Sequence, residues 1–213
     1  MSKSRKPVPP TIGLLVAGAV GCTAPTLPAA FDTTVDTVQM ADAIAYWNGV
    51  LGVQIQLASH SLPPRITVRA DPSLLTGTIR GMATIDGLDQ DSWAISGFIV
   101  LRPNLQSMRT YRHELGHALG FLGHSTDGLM SPRDSGQTGV ELLPRERNMM
   151  LALYAHPAGT HWEPDGTWIT PNGETGNSGQ EVAADLLAFN IGQCRIAGRT
   201  CRWPTTIRVY IEP

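Results

Sequence analysis

The chain is short of charge. Of its 213 residues only 16% are Asp, Glu, Lys or Arg, and 16 basic against 18 acidic groups leave a net charge of −2. A balance so even and so well mixed argues against a nucleic-acid partner or an electrostatically bound membrane surface, both of which need concentrated positive charge. Cysteine is scarce as well: Cys22, Cys194 and Cys201 are the only three. An odd number leaves one thiol over if the other two pair. The apolar run at 12–20 is too short to cross a bilayer. Turn formers, in contrast, are plentiful, with 22 Gly and 16 Pro. Low charge and many turns fit an exported chain with long ordered loops. With 42% hydrophobic residues, a chain of this length supports one cored domain, alone or with a small appendage.

The N-terminus carries Lys3, Arg5 and Lys6 ahead of that apolar run. A basic segment followed by a short apolar one reads as a secretory signal over 1–22. Ala19-Val20-Gly21-Cys22 resembles a bacterial lipobox, which makes Cys22 the expected lipidation site, with Ala19 in place of the more usual Leu. Export then supplies the oxidising compartment that a Cys194–Cys201 disulfide needs, and no thiol is left over. The expected location is the cell envelope as a lipoprotein, or free secretion. Residues 23–35 read as an Ala/Pro/Thr-rich linker.

Beyond the linker, apolar residues near period 3.6 predict a helix from 36 to about 50, with Asp36 or Thr37 as its cap. Strands are predicted at 53–57, 65–69, 81–85 and 97–101. Helices follow at 110–120 and 145–155, an ordered loop at 159–179, and a short helix at 181–189. The chain ends in an alternating strand, 206–211. Either it inserts into the main sheet or it forms an appended hairpin stapled by Cys194 and Cys201.

The most informative stretch is His113-Glu114-Leu115-Gly116-His117-Ala118-Leu119-Gly120-Phe121-Leu122-Gly123-His124. On a helix, residues four apart share a face, so His113 and His117 can meet one ion. Two imidazole nitrogens at about 2.0–2.1 Å are half of a tetrahedral zinc shell. Gly120 can end the helix in a left-handed turn, returning His124 as a third ligand. Three protein ligands with a fourth position open are the catalytic pattern of zinc, and Glu114 is placed as the general base of a metal-assisted hydrolase. Asp127 is the alternative third ligand, through oxygen. The other histidines, His60, His156 and His161, read as surface residues. Asp86, Asp89 and Asp91 are a weak candidate for calcium, since their spacing is not that of an EF-hand loop; a solvated turn accounts for them better.

The His-Glu-x-x-His-x-x-Gly run and the following Ser125-Thr126-Asp127-Gly128-Leu129-Met130-Ser131-Pro132 resemble the metzincin zinc metalloproteases, and within them the matrixin (matrix-metalloproteinase-like) group. The third histidine of that signature falls here on Gly123, and His124 comes one residue later. The resemblance implies an α+β zincin fold over 36–157, with a twisted, mostly parallel sheet, an antiparallel edge strand, an active-site helix and a C-terminal helix. Residues 158–213 form an extension. The resemblance makes Met130 the Met-turn residue, an apolar floor beneath the zinc. It makes Gly97, Phe98, Ile99, Val100 and Leu101 the edge strand that pairs with an extended substrate. In matrixins a strand precedes the first helix; here 206–211 looks like that strand, as in a circular permutation. The wall of the specificity pocket is expected at 131–142. No inhibitory pro-segment of matrixin type is apparent. The expected activity is that of a zinc endopeptidase, a monomer acting on protein or peptide. The competing expectations are an exported metal-binding or adhesion lipoprotein with little or no catalysis, and a zinc hydrolase of non-protein substrates.

Overall fold

A computed structural model describes residues 35–71, 79–132, 139–163, 165–178 and 200–212. The expectations for the signal at 1–22, Cys22, nearly all of the linker, the helix at 181–189 and Cys194 lie outside them. Cys201 is disulfide-bonded. No helix among the described residues is long and apolar enough to cross a membrane.

The fold is α+β. Helix α1 (Thr37–Leu51) leads into strands β1 (Gln54–Ala58), β2 (Arg65–Ala70), β3 (Gly81–Leu88) and β4 (Ala94–Leu101), then helices α2 (Met108–Ala118) and α3 (Pro144–Ala155). Three short strands follow, β5 (His161–Trp162), β6 (Thr167–Ile169) and β7 (Thr175–Asn177), and β8 (Thr206–Ile211) closes the order. Asp36 caps α1 by accepting from the amides of Val38 and Gln39. Gly52, at φ +66°, ends that helix in the left-handed turn that glycine adopts without steric cost.

The main sheet has five strands in the order β1-β8-β2-β4-β3. All pairs are parallel except β3 with β4. The last strand of the chain therefore lies inside the sheet, between β1 and β2. Its alternation places it there: Ile207, Val209 and Ile211 are buried while Thr206, Arg208 and Tyr210 are less so. In register, Ile207 lies beside Ile55, and Val209 beside Ile66. Each apolar side chain so buried stabilises by about 1.5–3 kcal/mol. Helices α1 and α2 pack on each other and on the sheet.

Two expectations need correction. Gly97, Phe98, Ile99, Val100 and Leu101 do not form a free edge: β4 is flanked by β2 on one side and β3 on the other. The run is apolar because it is central, with Ile99, Val100 and Leu101 fully buried. The antiparallel edge is β3. The expected loop at 159–179 instead contains an antiparallel sheet, β5-β6-β7. Its strands are only two or three residues long, too short for an alternating pattern to register in sequence.

Candidate metal centre

Helix α2 begins at Ser107, whose hydroxyl accepts from the Thr110 amide. It carries His113 and His117 on one buried face. Its end is a Schellman turn: the Phe121 amide reaches back to the Gly116 carbonyl and the Gly120 amide to that of His117, both at 3.0 Å. Gly120 sits at φ +116°. The turn brings the Phe121 carbonyl under His117, whose Nδ1 hydrogen-bonds to it. It also returns the chain so that His124 Nε2 lies 3.2 Å from His117 Nε2. The extra residue before His124 is thus absorbed in the loop after the turn.

The three imidazoles converge through Nε2, with 2.9 Å between those of His113 and His117. Their outer nitrogens define the tautomer. His113 Nδ1 is 2.7 Å from the Leu129 carbonyl, and a carbonyl only accepts, so in both rings Nδ1 carries the proton. Nε2 is then a lone pair in each. Burial holds His113 well below the ordinary imidazole range and pushes His117 down to about 4, so both are neutral at pH 7. Lone pairs facing one another this closely repel unless a cation lies between them. About 3.3 Å separates the nitrogens of a tetrahedral zinc shell with bonds of about 2.0–2.1 Å, close to the spacings here. The donor set fits a metal ion. Among the described residues these three histidines are the one group of His, Cys, Asp or Glu side chains arranged to hold one. His113 and His117 are buried, and His124 is exposed at the rim.

Glu114 lies on the same helix, almost fully buried, and its Oε2 has no hydrogen-bond partner. Burial pushes its carboxyl up to about 8, against the opposing pull of the Arg109 charge. An unpartnered buried carboxylate oxygen is costly and rare in folded proteins. Asp127, the alternative ligand, is turned elsewhere and pairs with Arg145. Met130 is fully buried beneath α2 at Gly116. A Cβ on Gly116 would lie 2.6 Å from Trp47 Cζ2 and 2.9 Å from Met130 Sδ, so the helix accepts a glycine there to let both approach.

Side chains with no motif of their own hold the segment 124–131. Arg109 Nη2 donates to the Gly128, Leu129 and Ser131 carbonyls at 3.5, 3.2 and 2.7 Å. The Leu129 carbonyl is the one that orients His113. Glu146 of α3 is completely buried. Its carboxylate accepts from the Met130 amide at 3.0 Å, the Leu143 amide at 2.7 Å and the Ser125 hydroxyl. Neither residue stands out in sequence, because their partners in 125–131 lie far along the chain. The signals available were weak: an Arg one turn before His113, and a Glu three residues into a helix.

The remaining candidates stay apart from this centre. Asp89 Oδ1 accepts from the amides of Asp91 and Trp93, and Asp86 from the Ser96 hydroxyl; the three do not converge. His161 pairs with Glu163. His156 is not a plain surface residue, since its ring packs on Trp162 and Trp168 at centroid distances of 5.3 and 4.1 Å. Of the proposed pocket wall at 131–142, residues 133–138 lie outside the described residues.

No protein family matches the chain, and neither a curated protein nor a solved structure matches it.

Proposed function

We propose that this chain is a zinc-dependent endopeptidase on the metzincin plan, with β8 in the place that the matrixin resemblance gives to a strand preceding the first helix. One observation carries the reading. Three imidazole Nε2 atoms, two of them fixed as lone pairs, converge on the helix face that carries a buried carboxyl group whose second oxygen has no partner. A site that only stored or displayed a metal would gain nothing from leaving Glu114 Oε2 unsatisfied.

A zinc ion held by His113, His117 and His124 would supply Lewis acidity toward a water molecule and a peptide carbonyl. In its ionised form, which the positive charge of a bound zinc would favour, Glu114 takes a proton from the attacking water onto Oε2. It returns that proton to the amine nitrogen released when the C–N bond breaks, so that one acid and one amine leave per water consumed. An extended peptide would add to the outer edge of β3, which pairs with no further strand among the described residues. That edge passes Glu114 at Gly81. We further propose export through the 1–22 signal, with Cys22 as a lipid anchor.

The test is zinc content together with cleavage of a peptide library. Glu114→Ala should keep its zinc and lose at least about 100-fold in turnover, within the range for removing a general base. Normal cleavage by that variant would sink the mechanism. A zinc-loaded wild-type chain that cleaves nothing would favour a metal-binding or adhesion lipoprotein instead.

A further inference from the structure

Gly81 opens the edge strand β3, paired opposite Leu101. It has no backbone reason to be glycine, since it is not among the residues with positive φ. Glycine is also a poor strand former, because it loses the most freedom on folding and packs nothing. A Cβ built there, however, would lie 2.6 Å from Glu114 Cγ, 2.6 Å from Oε1 and 2.7 Å from Cδ. All three atoms belong to one side chain, that of Glu114, a residue only 5% exposed. It has little room to swing aside, because close-packed surroundings resist even a methyl group.

We propose that Gly81 is a positioning residue for Glu114: the missing side chain on the edge strand lets the carboxylate rest against β3 beside the histidines. The proposal rests on the reading of Glu114 as the general base. The strand gives up its own propensity at this point, and the carboxylate gains its resting place. A methyl at 81 drives the carboxyl group off that place while leaving His113, His117 and His124 untouched.

A double-mutant cycle tests this in two ways. The first uses metal-free protein and thermal unfolding. Gly81→Ala should lower Tm by about 3–10 °C, the range for overpacking in a domain of this size. The same substitution in a Glu114→Ala background should leave Tm unchanged or raise it, because alanine suits a strand better than glycine. Equal losses in both backgrounds would overturn the contact. If Gly81→Ala alone fails to fold, recovery of the fold in the Glu114→Ala background gives the same answer, and failure there too overturns it.

The second arm uses zinc-loaded protein and a peptide substrate. Gly81→Ala should keep full zinc content and KM while kcat falls about 100-fold, as expected for a misplacement on the order of 1 Å. In a Glu114→Asp background, whose shorter side chain withdraws from the methyl, the same substitution should cost much less. An unchanged kcat in Gly81→Ala would overturn the positioning role. So would a loss confined to zinc content. A wild-type chain with no hydrolytic activity would instead overturn the reading of Glu114, and the thermal cycle would still report the contact.

Discussion

The helix half and the loop half of the histidine cluster are held by different kinds of contact. His113 and His117 owe their relation to one turn of α2, which Ser107 starts and a Schellman turn ends. His124 and the turn to Ser131 have no regular structure of their own. Arg109 clamps them by donating to carbonyls of 128–131, and Glu146 by accepting from the Met130 amide and the Ser125 hydroxyl. Hydrogen bonds within one helix turn follow from spacing, whereas a clamped loop depends on side chains brought in from other elements. The two halves meet at the Leu129 carbonyl, which receives Arg109 from one side and His113 from the other.

Substitutions break this comparison with graded force. The largest effect is expected at Glu146, whose buried carboxylate satisfies three donors. Glu146→Ala should destabilise the fold by about 3–5 kcal/mol in denaturant titration, since each buried donor left unpaired costs about 1–3 kcal/mol. A loss under about 1 kcal/mol would mean that the loop half stands without it. Next comes His124→Ala, which should weaken zinc binding by more than about 100-fold, beyond the 10–100-fold typical of an outer-shell partner. Unchanged affinity in a competition titration would point to another third ligand.

Arg109→Met sharpens the comparison because two effects oppose each other. Losing the clamp loosens the carbonyl that orients His113, while losing a positive charge near the cluster favours a cation. The clamp should win, with zinc binding weakened about 10–100-fold. Tighter binding would show that Arg109 acts chiefly through its charge. The smallest effect belongs to the helix half. Ser107→Ala removes a cap worth about 1 kcal/mol and should lower Tm by a few degrees with zinc affinity unchanged, because interior contacts of α2 keep the histidine spacing.

Legibility in the sequence follows the same division. His113, Glu114 and His117 were readable because a helix sets their geometry within four residues. The Gly120 turn was readable because few residues other than glycine adopt its backbone. The placement of 206–211 stayed open between a sheet insertion and a hairpin. Its alternation shows that one face is buried, but not which strands lie beside it. The same gap misplaced the edge: 97–101 is apolar enough to be either an edge that buries one face or a central strand, and only pairing with both β2 and β3 decides. Gly81 carried no signal, since Glu114 lies 33 residues away, and Glu146 showed only its place three residues into a helix, since Met130 and Ser125 lie 16 and 21 residues away.

By itself, then, the sequence determined the local half of this protein: an amphipathic α2 with two histidines and a glutamate in fixed relation, a glycine turn after it, and strands with one apolar face. The tertiary structure alone decided that β8 inserts between β1 and β2, that β3 is the edge, and that His124 reaches the other two imidazoles. It also decided that Glu114 rests on Gly81. The reason is physical. Helical contacts close over three or four residues and are written in spacing, while strand partners and clamping side chains are chosen by packing across long loops, where no local pattern names the partner.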